Sequence, residues 1–127
     1  MDAMTDTTSL LFAGAAEQAR AVAAGEVSAR ELVQATLDRI DALNPQLNAY
    51  RVALAEKALT EADQADARRR GGDQRPLLGV PVAIKDDVDV AGEATAWGTA
   101  AHAGPVERDA EALRRLRAAG AVIIGKT

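Results

Sequence analysis

The second half of the chain places two short apolar runs on either side of a segment with helical spacing. Residues 82–84 form a run of β-type side chains, and residues 121–124 are apolar enough for a buried strand. A loop rich in Gly and Ala spans 91–105, and a helix is predicted over 109–119. Strand, loop, helix and strand in this order are typical of a right-handed βαβ unit. The sequence therefore predicts the α/β class, with the two strands parallel in one sheet.

The first half of the chain is predicted to be helical. Residues 10–24 form an Ala-rich stretch that Gly25 ends. Ser28 and Glu31 then have the spacing of a capping box, in which each side chain bonds the backbone N–H of the other residue. Apolar residues follow at spacings of three and four. Pro45 is expected to end this helix, because the residue before a proline is pushed out of the α region.

Two further helices flank the strands. One is predicted over residues 54–70, after a short extended piece at 50–53. The helix between the two strands has Asp109 as its expected N-cap. Glu111 and Arg115, four residues apart, should form an ion pair on its exposed side.

The first predicted strand ends in charged residues. Lys85 follows the apolar run, and Asp86 and Asp87 come next. Such a strand end can hold a catalytic side chain at the edge of a sheet, and it can equally mark where the strand leaves the core. Because side chains alternate along a strand, Asp86 should point away from Lys85 and be free for a structural hydrogen bond. Asp87 would return to the side of Lys85 unless it lies beyond the strand end.

Several separated blocks of this sequence match one family in order and spacing. The string from Leu77 to Gly92 contains Gly-Val-Pro-Val-Ala-Ile-Lys-Asp-Asp, and Ala-Trp-Gly-Thr follows at 96–99. Arg-Asp-Ala-Glu stands at 108–111, and 117–127 reads Arg-Ala-Ala-Gly-Ala-Val-Ile-Ile-Gly-Lys-Thr. From about Ser9 to its last residue, the chain resembles the N-terminal part of the amidase signature family. That family includes general amidases and the A subunit of the glutamine-dependent aminoacyl-tRNA amidotransferase.

The resemblance assigns a catalytic role to one residue of this chain. In such enzymes the lysine of the Gly-[Ile/Val]-Pro-[Ile/Val]-x-[Ile/Val]-Lys-Asp string is the base of a Ser–cis-Ser–Lys triad, and this role falls on Lys85. An amine of this type titrates at about 10.4 in water, so a lysine base has to be kept neutral by burial. A carboxylate close to it, such as that of Asp87, would oppose the role. The resemblance implies no metal and no organic cofactor.

The two triad serines of the family lie in Gly/Ser-rich segments downstream of the lysine, and this chain contains no such segment. Ser9 and Ser28 are its serines, and both precede Lys85. The resemblance therefore implies the N-terminal fragment of a single amidase domain with an incomplete mixed sheet. In that fragment, 9–70 is helical and 77–125 forms the strand–loop–helix–strand unit.

The fragment itself is expected to be inactive. A complete enzyme of this family would cleave carboxylic amides to acid and ammonia, and its partner would be a small amide substrate. Two alternatives remain open. One is a fragment of an amidotransferase A subunit that acts on glutamine, and the other is a non-enzymatic α/β module that binds a partner.

Composition and charge exclude several other classes. The chain has no cysteine, which excludes disulfides, thiolate metal sites and cysteine nucleophiles. Its net charge of −4 leaves no basic face of the kind that nucleic acids need, and the arginine run at 68–70 suits the carboxyl end of a helix. The N-terminus is acidic, and the apolar stretch at 10–16 is too short to span a membrane. These features favour a cytoplasmic protein without a membrane partner.

Two other motif matches are rejected on their surroundings. Residues 120–127 fit the P-loop pattern, but the side chains between Gly120 and Gly125 are Ala, Val, Ile and Ile, which favour a strand. Residues 82–85 match a kinase string, but the catalytic-loop strings of kinases are absent. His102 is expected to be incidental. Trp97 is expected to anchor its loop to the core, with walling a pocket as the alternative.

The core has to be built from small aliphatic side chains, since Phe12, Tyr50 and Trp97 are the aromatic residues of the chain. The last strand is strongly apolar and is expected to have one open edge. We therefore expect the isolated chain to be marginally stable, or to self-associate through this exposed C-terminal strand.

Overall fold

The computed structural model describes residues 6–127 and shows a mixed α/β fold. Its helices are α1 (Thr7–Leu10), α2 (Ala15–Ala23), α3 (Ala29–Leu47), α4 (Ala55–Arg70) and α5 (Glu111–Ala118), and its strands are β1 (Val52–Ala53), β2 (Pro81–Ile84) and β3 (Val122–Lys126). The predicted fold class is confirmed, because N-terminal helices precede a small mixed sheet and its crossover helix. Residues 1–5, which carry most of the acidic N-terminal sequence, lie outside the described residues.

The three strands form one sheet in the order β1–β3–β2. β2 and β3 are parallel, which confirms the predicted pair, and the connection between them contains α5. β1 is antiparallel to β3, with Ala53 opposite Gly125. At the other edge Ile84 is opposite Lys126. The carboxyl ends of β2 and β3 therefore lie side by side.

β3 lies in the middle of the sheet, and all of its residues are buried. The open edge predicted for this strand is therefore wrong, because the short extended piece after Tyr50 supplies a second neighbour that the βαβ pattern does not include. The close approach of β1 requires Gly125, since a Cβ at that position would lie 2.5 Å from the carbonyl oxygen of Val52. Self-association stays a prediction, and β1 and β2 rather than β3 carry the outer edges of the sheet.

Buried aliphatic residues form two clusters, and β3 contributes to both. Val122 and Ile124 pack with residues of α2, α3 and α4. Ile123 packs with Leu113 of α5 and with Ile84. This alternation is the period of two that a strand buried on both faces shows. Full burial of a valine or isoleucine contributes about 1.5–3 kcal/mol relative to leaving it exposed, so β3 holds the two layers of helices together.

The helix predicted over 10–24 is two helices in the structure. α1 ends at Leu10 and α2 begins at Ala15, because Gly14 takes a φ of 85° that a helix cannot contain. Gln18 bridges the break by donating its side-chain N–H to the carbonyl oxygen of Leu10 at 2.9 Å. The predicted end is confirmed, since α2 stops just before Gly25.

The capping box predicted at the start of α3 is present. The Ser28 hydroxyl accepts from the Glu31 N–H at 3.0 Å, and the Glu31 carboxylate accepts from the Ser28 N–H at 2.9 Å. The predicted end of this helix is wrong, since α3 runs through Pro45 to Leu47. Pro45 lies in the last turn, and the helix ends instead at Asn48, which takes a left-handed φ of 51°.

α5 begins later than predicted, and Asp109 is not its N-cap. The Asp109 carboxylate accepts instead from the Ala91 N–H at 2.7 Å and from Arg117 Nε at 2.9 Å. It therefore ties the long loop to the end of the helix rather than to its first turn. The predicted ion pair between Glu111 and Arg115 is present at 3.0 Å on the exposed side.

Candidate active site

Lys85 follows β2 directly, and its side chain is 79% exposed. Its Nζ lies 3.2 Å from a carboxylate oxygen of Asp87. Asp87 lies in the turn beyond the strand end, where it must be if Lys85 is a base, yet the turn brings its carboxylate back to the amine. Within residues 6–127, Lys85 is thus an exposed, ion-paired lysine, whereas a lysine base has to be buried.

The backbone on both sides of Lys85 is held by Thr127. The Thr127 N–H donates to the carbonyl oxygen of Ile84, and the Asp86 N–H donates to that of Thr127, each at 2.9 Å. A turn follows, in which the Val88 N–H donates to the carbonyl oxygen of Lys85 at 3.1 Å. The sheet therefore fixes the backbone of Lys85 while the side chain projects into solvent, an arrangement suited to a functional side chain.

Asp86 has a different set of partners from Lys85, as the alternation of a strand predicts. Its buried carboxylate accepts from Arg51 Nε, accepts from a terminal nitrogen of the same guanidinium at 3.1 Å, and lies 2.9 Å from Lys126 Nζ. These bonds, that from Arg51 first, hold the pKa of the Asp86 carboxyl well below its usual range against the opposing effect of burial. The same bond raises the pKa of Arg51. Asp86 therefore has a structural, charged role.

Lys126 is a buried charge that the sequence analysis missed. The three lysines of the chain all lie in the described part, and Lys126 is the one whose side chain is fully buried. Its ammonium group lies 2.9 Å from Asp86 Oδ1, 3.0 Å from the carbonyl oxygen of Ala94 and 3.1 Å from Thr95 Oγ1. An ammonium has three donors, so each donor has a partner.

The position of Lys126 also rules out a P-loop at residues 120–127. A P-loop lysine has to follow a flexible loop and reach a phosphate, whereas Lys126 is the last residue of β3 and is paired with a carboxylate. The available signal was a lysine at the end of one apolar strand and an aspartate, Asp86, just beyond the end of the parallel strand beside it. Parallel strands end at the same edge of a sheet, which would have placed the two charges together.

The segment 94–97 closes over this ion pair. The carbonyl oxygen of Ala94 accepts from Arg51 at 2.8 Å as well as from Lys126. The Thr95 hydroxyl donates to an Asp89 carboxylate oxygen at 2.7 Å. The Trp97 N–H donates to the carbonyl oxygen of Asp86 at 3.0 Å. The loop is therefore attached to the end of β2 by backbone and side-chain bonds together.

The side chains of Trp97 and His102 do not join this network. The Trp97 side chain is 68% exposed and its residue takes a left-handed φ of 57°, so the prediction that it anchors the loop in the core is wrong. The loop is held by the backbone of Trp97 instead. His102 is exposed, and its ring contacts the carbonyl oxygen of the next residue at 2.9 Å.

A cavity of about 340 Å³ lies elsewhere, between α3 and the sheet, against residues of β2 and β3. Burial beside it raises the pKa of Tyr50. Its lining is mainly apolar and does not include Lys85, so the cavity is not the candidate active site. The lining residues include Leu43, Leu47, Tyr50, Pro81, Ala83 and Ile124.

The described residues offer neither a metal cluster nor a membrane span. Among residues 6–127, no group of three or more His, Cys, Asp or Glu side chains is placed to hold a metal ion. In the same part of the chain, no helix combines the length and apolar character needed to cross a bilayer.

Comparison with known proteins agrees with the blocks around Lys85. The family model described as Amidase matches residues 31–127, which include β2, the loop and β3. The chain belongs to the amidase family. This confirms the resemblance drawn from the strings at 77–92 and 117–127.

Relatives of this amidase chain are much longer than the chain itself. The AmiB2 protein of Mycobacterium tuberculosis is 55% identical over 122 residues, which are 96% of this chain and 26% of the relative. The A subunit of the glutamyl-tRNA(Gln) amidotransferase of Salinispora arenicola is 48% identical over 126 residues, covering 98% of this chain and 25% of the relative. The chain thus spans about a quarter of the length of the curated relatives it matches.

A solved structure is likewise covered by this chain over about a quarter of its length. The native peptide amidase from Stenotrophomonas maltophilia superposes with a TM-score of 0.82 at 40% sequence identity. The match covers 98% of this amidase chain and 25% of that enzyme. The order of helices and strands in this chain is therefore an N-terminal portion of the amidase-signature fold.

Proposed function

We propose that this chain supplies the lysine-bearing quarter of an amidase-signature hydrolase, in which Lys85 is the base of a Ser–cis-Ser–Lys triad. The observation that carries the proposal is the position of Lys85. It lies at the carboxyl end of β2, on a backbone fixed by Thr127, within the residues that match the family. Its amine is exposed in this chain, so a further segment carrying the serines can reach and cover it.

The chemistry proposed for the complete enzyme is acyl transfer. A serine hydroxyl attacks the amide carbonyl, and its proton passes through the second serine to the neutral amine of Lys85. Backbone N–H groups stabilise the oxyanion, ammonia or an amine leaves with a proton, and water hydrolyses the acyl-enzyme. For this step the contact between Lys85 and Asp87 has to open, because a carboxylate favours the charged amine.

The chain of 127 residues is proposed to lack amidase activity by itself. The Ser28 hydroxyl caps α3, and the Ser9 hydroxyl donates to an Asp6 carboxylate oxygen at 3.0 Å. Both belong to helix starts in the N-terminal part of the chain, and neither bonds Lys85. Turnover of a simple amide such as benzamide by the purified chain, abolished by Lys85→Ala, would contradict this proposal.

A chimera tests the role of Lys85. Residues 1–127 replace the matching quarter of Mycobacterium tuberculosis AmiB2, and amides that the unaltered relative turns over are the substrates. Lys85→Arg is expected to lower kcat by about 10²- to 10⁴-fold, because a guanidinium does not deprotonate at working pH. Lys57→Arg is the matched control, since Lys57 forms an exposed ion pair with Glu93.

Three results would contradict the proposal. The Lys85→Arg chimera could retain more than about a tenth of kcat, which lies outside the loss expected for a general base. The Lys57→Arg control could lose as much as Lys85→Arg. A folded chimera without any turnover would show that this quarter is not equivalent to that of the relative, and would favour a non-enzymatic module.

The second candidate is an amidotransferase A subunit that acts on glutamine. It is supported by the 48% identity to the Salinispora arenicola protein. A chimera built on that protein, with glutamine hydrolysis as the assay, distinguishes the two functions. For either one, we propose a cytoplasmic enzyme with a small amide as its substrate, and fractionation of cells that express the gene tests the compartment.

A further inference from the structure

The Lys85 region contains more charge than a triad base requires. Asp86 is buried between two cations, Arg51, which precedes β1, and Lys126, which ends β3. None of the three is the proposed base. The arrangement therefore needs a role of its own.

The ion pair between Asp86 and Lys126 joins three separate parts of the chain. Lys126 ends β3, Asp86 follows Lys85 after β2, and the segment 94–97 belongs to the long loop. Lys126 Nζ bonds two consecutive residues of that segment, Ala94 and Thr95. One buried ammonium group thus contacts the strand end and two residues of the loop, beside the bonds that Arg51 and the Trp97 N–H make.

Asp86 carries this constraint to Lys85 through one peptide bond. Its backbone N–H is bonded to Thr127 and its carbonyl oxygen to Trp97, while its carboxylate is bonded to Lys126. The bonds to the Asp86 carboxylate and to its backbone together hold the peptide that joins it to Lys85, so a shift of that backbone moves the Cα of Lys85. A triad base has to be held within a fraction of an ångström of its partner to act, so such a shift matters for catalysis.

Replacement of a buried ion pair by packed hydrophobic residues is often neutral or stabilising, so stability alone does not account for two buried charges. Geometry does account for them, because two directed hydrogen bonds and an ion pair from one ammonium fix an orientation that an aliphatic side chain does not.

We propose that Lys126 and Asp86 are positioning residues: the ion pair holds the segment 94–97 and the backbone of Lys85 in one fixed arrangement. The catalytic part of this inference rests on the proposed function of Lys85. The structural part concerns the loop alone, and it can be tested in the 127-residue chain without any assay of turnover.

Amide hydrogen exchange in the chain measures the structural part. Lys126→Met removes the charge while keeping the length of the side chain. Thr95→Val keeps the shape but removes both the acceptor for Lys126 and the donor to Asp89. Both are expected to speed exchange of the Trp97 amide by about tenfold or more, since each leaves a bond of the buried network unmade. The amides of Ala58 and Ala62 in α4 should be unaffected under the same native conditions.

Lys57→Met is the matched control for exchange. The exposed amine of Lys57 lies 3.1 Å from a carboxylate oxygen of Glu93, which belongs to the same loop. Exposed ion pairs contribute little, so loss of this one should leave the exchange rate of the Trp97 amide within about twofold of wild type. A positioning role is overturned if Thr95→Val and Lys126→Met both leave the Trp97 amide within that range. It is also overturned if all amides speed up equally, which would mean a general loss of stability. Thr95→Val alone decides the outcome if Lys126→Met does not fold.

Kinetics in the AmiB2 chimera measure the catalytic part. Thr95→Val and Lys126→Met are expected to lower kcat by about tenfold, with KM changed much less, because misplacing a base affects the chemical step. If both variants exchange faster at Trp97 but keep their kcat, the ion pair does not position Lys85. It would then hold only the segment 94–97. If Lys85→Arg retains turnover, the proposed function fails, and the exchange result still decides the structural part.

Discussion

The ammonium group of Lys126 lies 2.9 Å from a carboxylate oxygen of Asp86, and the two side chains are 0% and 8% exposed. This ion pair joins the carboxyl ends of the parallel strands β2 and β3. Burial of two charges is unfavourable unless they are paired and their remaining donors and acceptors are satisfied, and here both conditions hold. The pair therefore makes this end of the sheet sensitive to the loss of either partner.

Asp86→Ala is expected to destabilise the chain by about 3–5 kcal/mol, because the charge of Lys126 would remain buried without a counter-ion. Urea unfolding at neutral pH, followed by circular dichroism, measures the change. Glu111→Ala is the control, since its ion pair with Arg115 is exposed and such pairs contribute at most about 1 kcal/mol. Equal losses of unfolding free energy in the two variants would show that the buried ion pair contributes no more to stability than the exposed one.

The chain is expected to lose stability in acid partly through Asp86. Because the pKa of this carboxyl is lower in the folded state than in the unfolded chain, the folded state binds fewer protons. The contribution of Asp86 is therefore fully present above about pH 4, the ordinary range of an aspartate, and is lost as the pH falls further towards the lowered folded pKa.

Asp86→Asn isolates this contribution from those of the other carboxylates. The free energy of unfolding of wild type should fall more steeply between about pH 5 and about pH 2 than that of the variant. Parallel curves for the two proteins over this range would mean that Asp86 keeps an ordinary pKa in the folded chain.

Much of this fold follows from local sequence, because its elements obey local rules. The alternation of a strand correctly separates Asp86 from Lys85, and the spacing of Ser28 and Glu31 correctly locates the start of α3. Lys126 was missed because two of its partners, Ala94 and Thr95, come from a loop whose return path has no periodic pattern.

The other errors have the same origin. Asp109 has the residue type and position of an N-cap. Its carboxylate accepts instead from the backbone N–H of Ala91, a distant residue of the long loop. The open edge expected for β3 is filled by β1, which has two residues and gives almost no periodic signal. In each case a tertiary partner overrides a correct local rule. The role of Lys85 stays a prediction for a related reason, since the serines it would act with are proposed to lie in a further segment.

Chemical acylation of amines should distinguish the three lysines. Lys57 and Lys85 are 53% and 79% exposed, whereas Lys126 is fully buried with all donors bonded. A short treatment of the native chain with an N-hydroxysuccinimide ester is expected to modify the first two and spare Lys126, as read by peptide mass spectrometry. Denaturation in urea before labelling is the control, and it should make all three react. Rapid labelling of Lys126 in the native chain would contradict its burial.

Gly125→Ala is expected to separate β1 from the sheet. A Cβ at this position would lie 2.5 Å from the carbonyl oxygen of Val52 and 2.9 Å from the ring of Tyr50. Overpacking of this kind costs about 1–3 kcal/mol. Urea unfolding measures the loss, and fluorescence of Tyr50 in a Trp97→Phe background reports the release of β1.

Gly104→Ala is the matched control for this change, because a Cβ at Gly104 would have no atom within 4 Å. It is expected to leave stability within about 0.5 kcal/mol of wild type, as surface substitutions usually do. If Gly125→Ala matches this control, β1 does not lie against β3. The second neighbour of β3 would then be lost, and its open edge would again be the expected site of self-association.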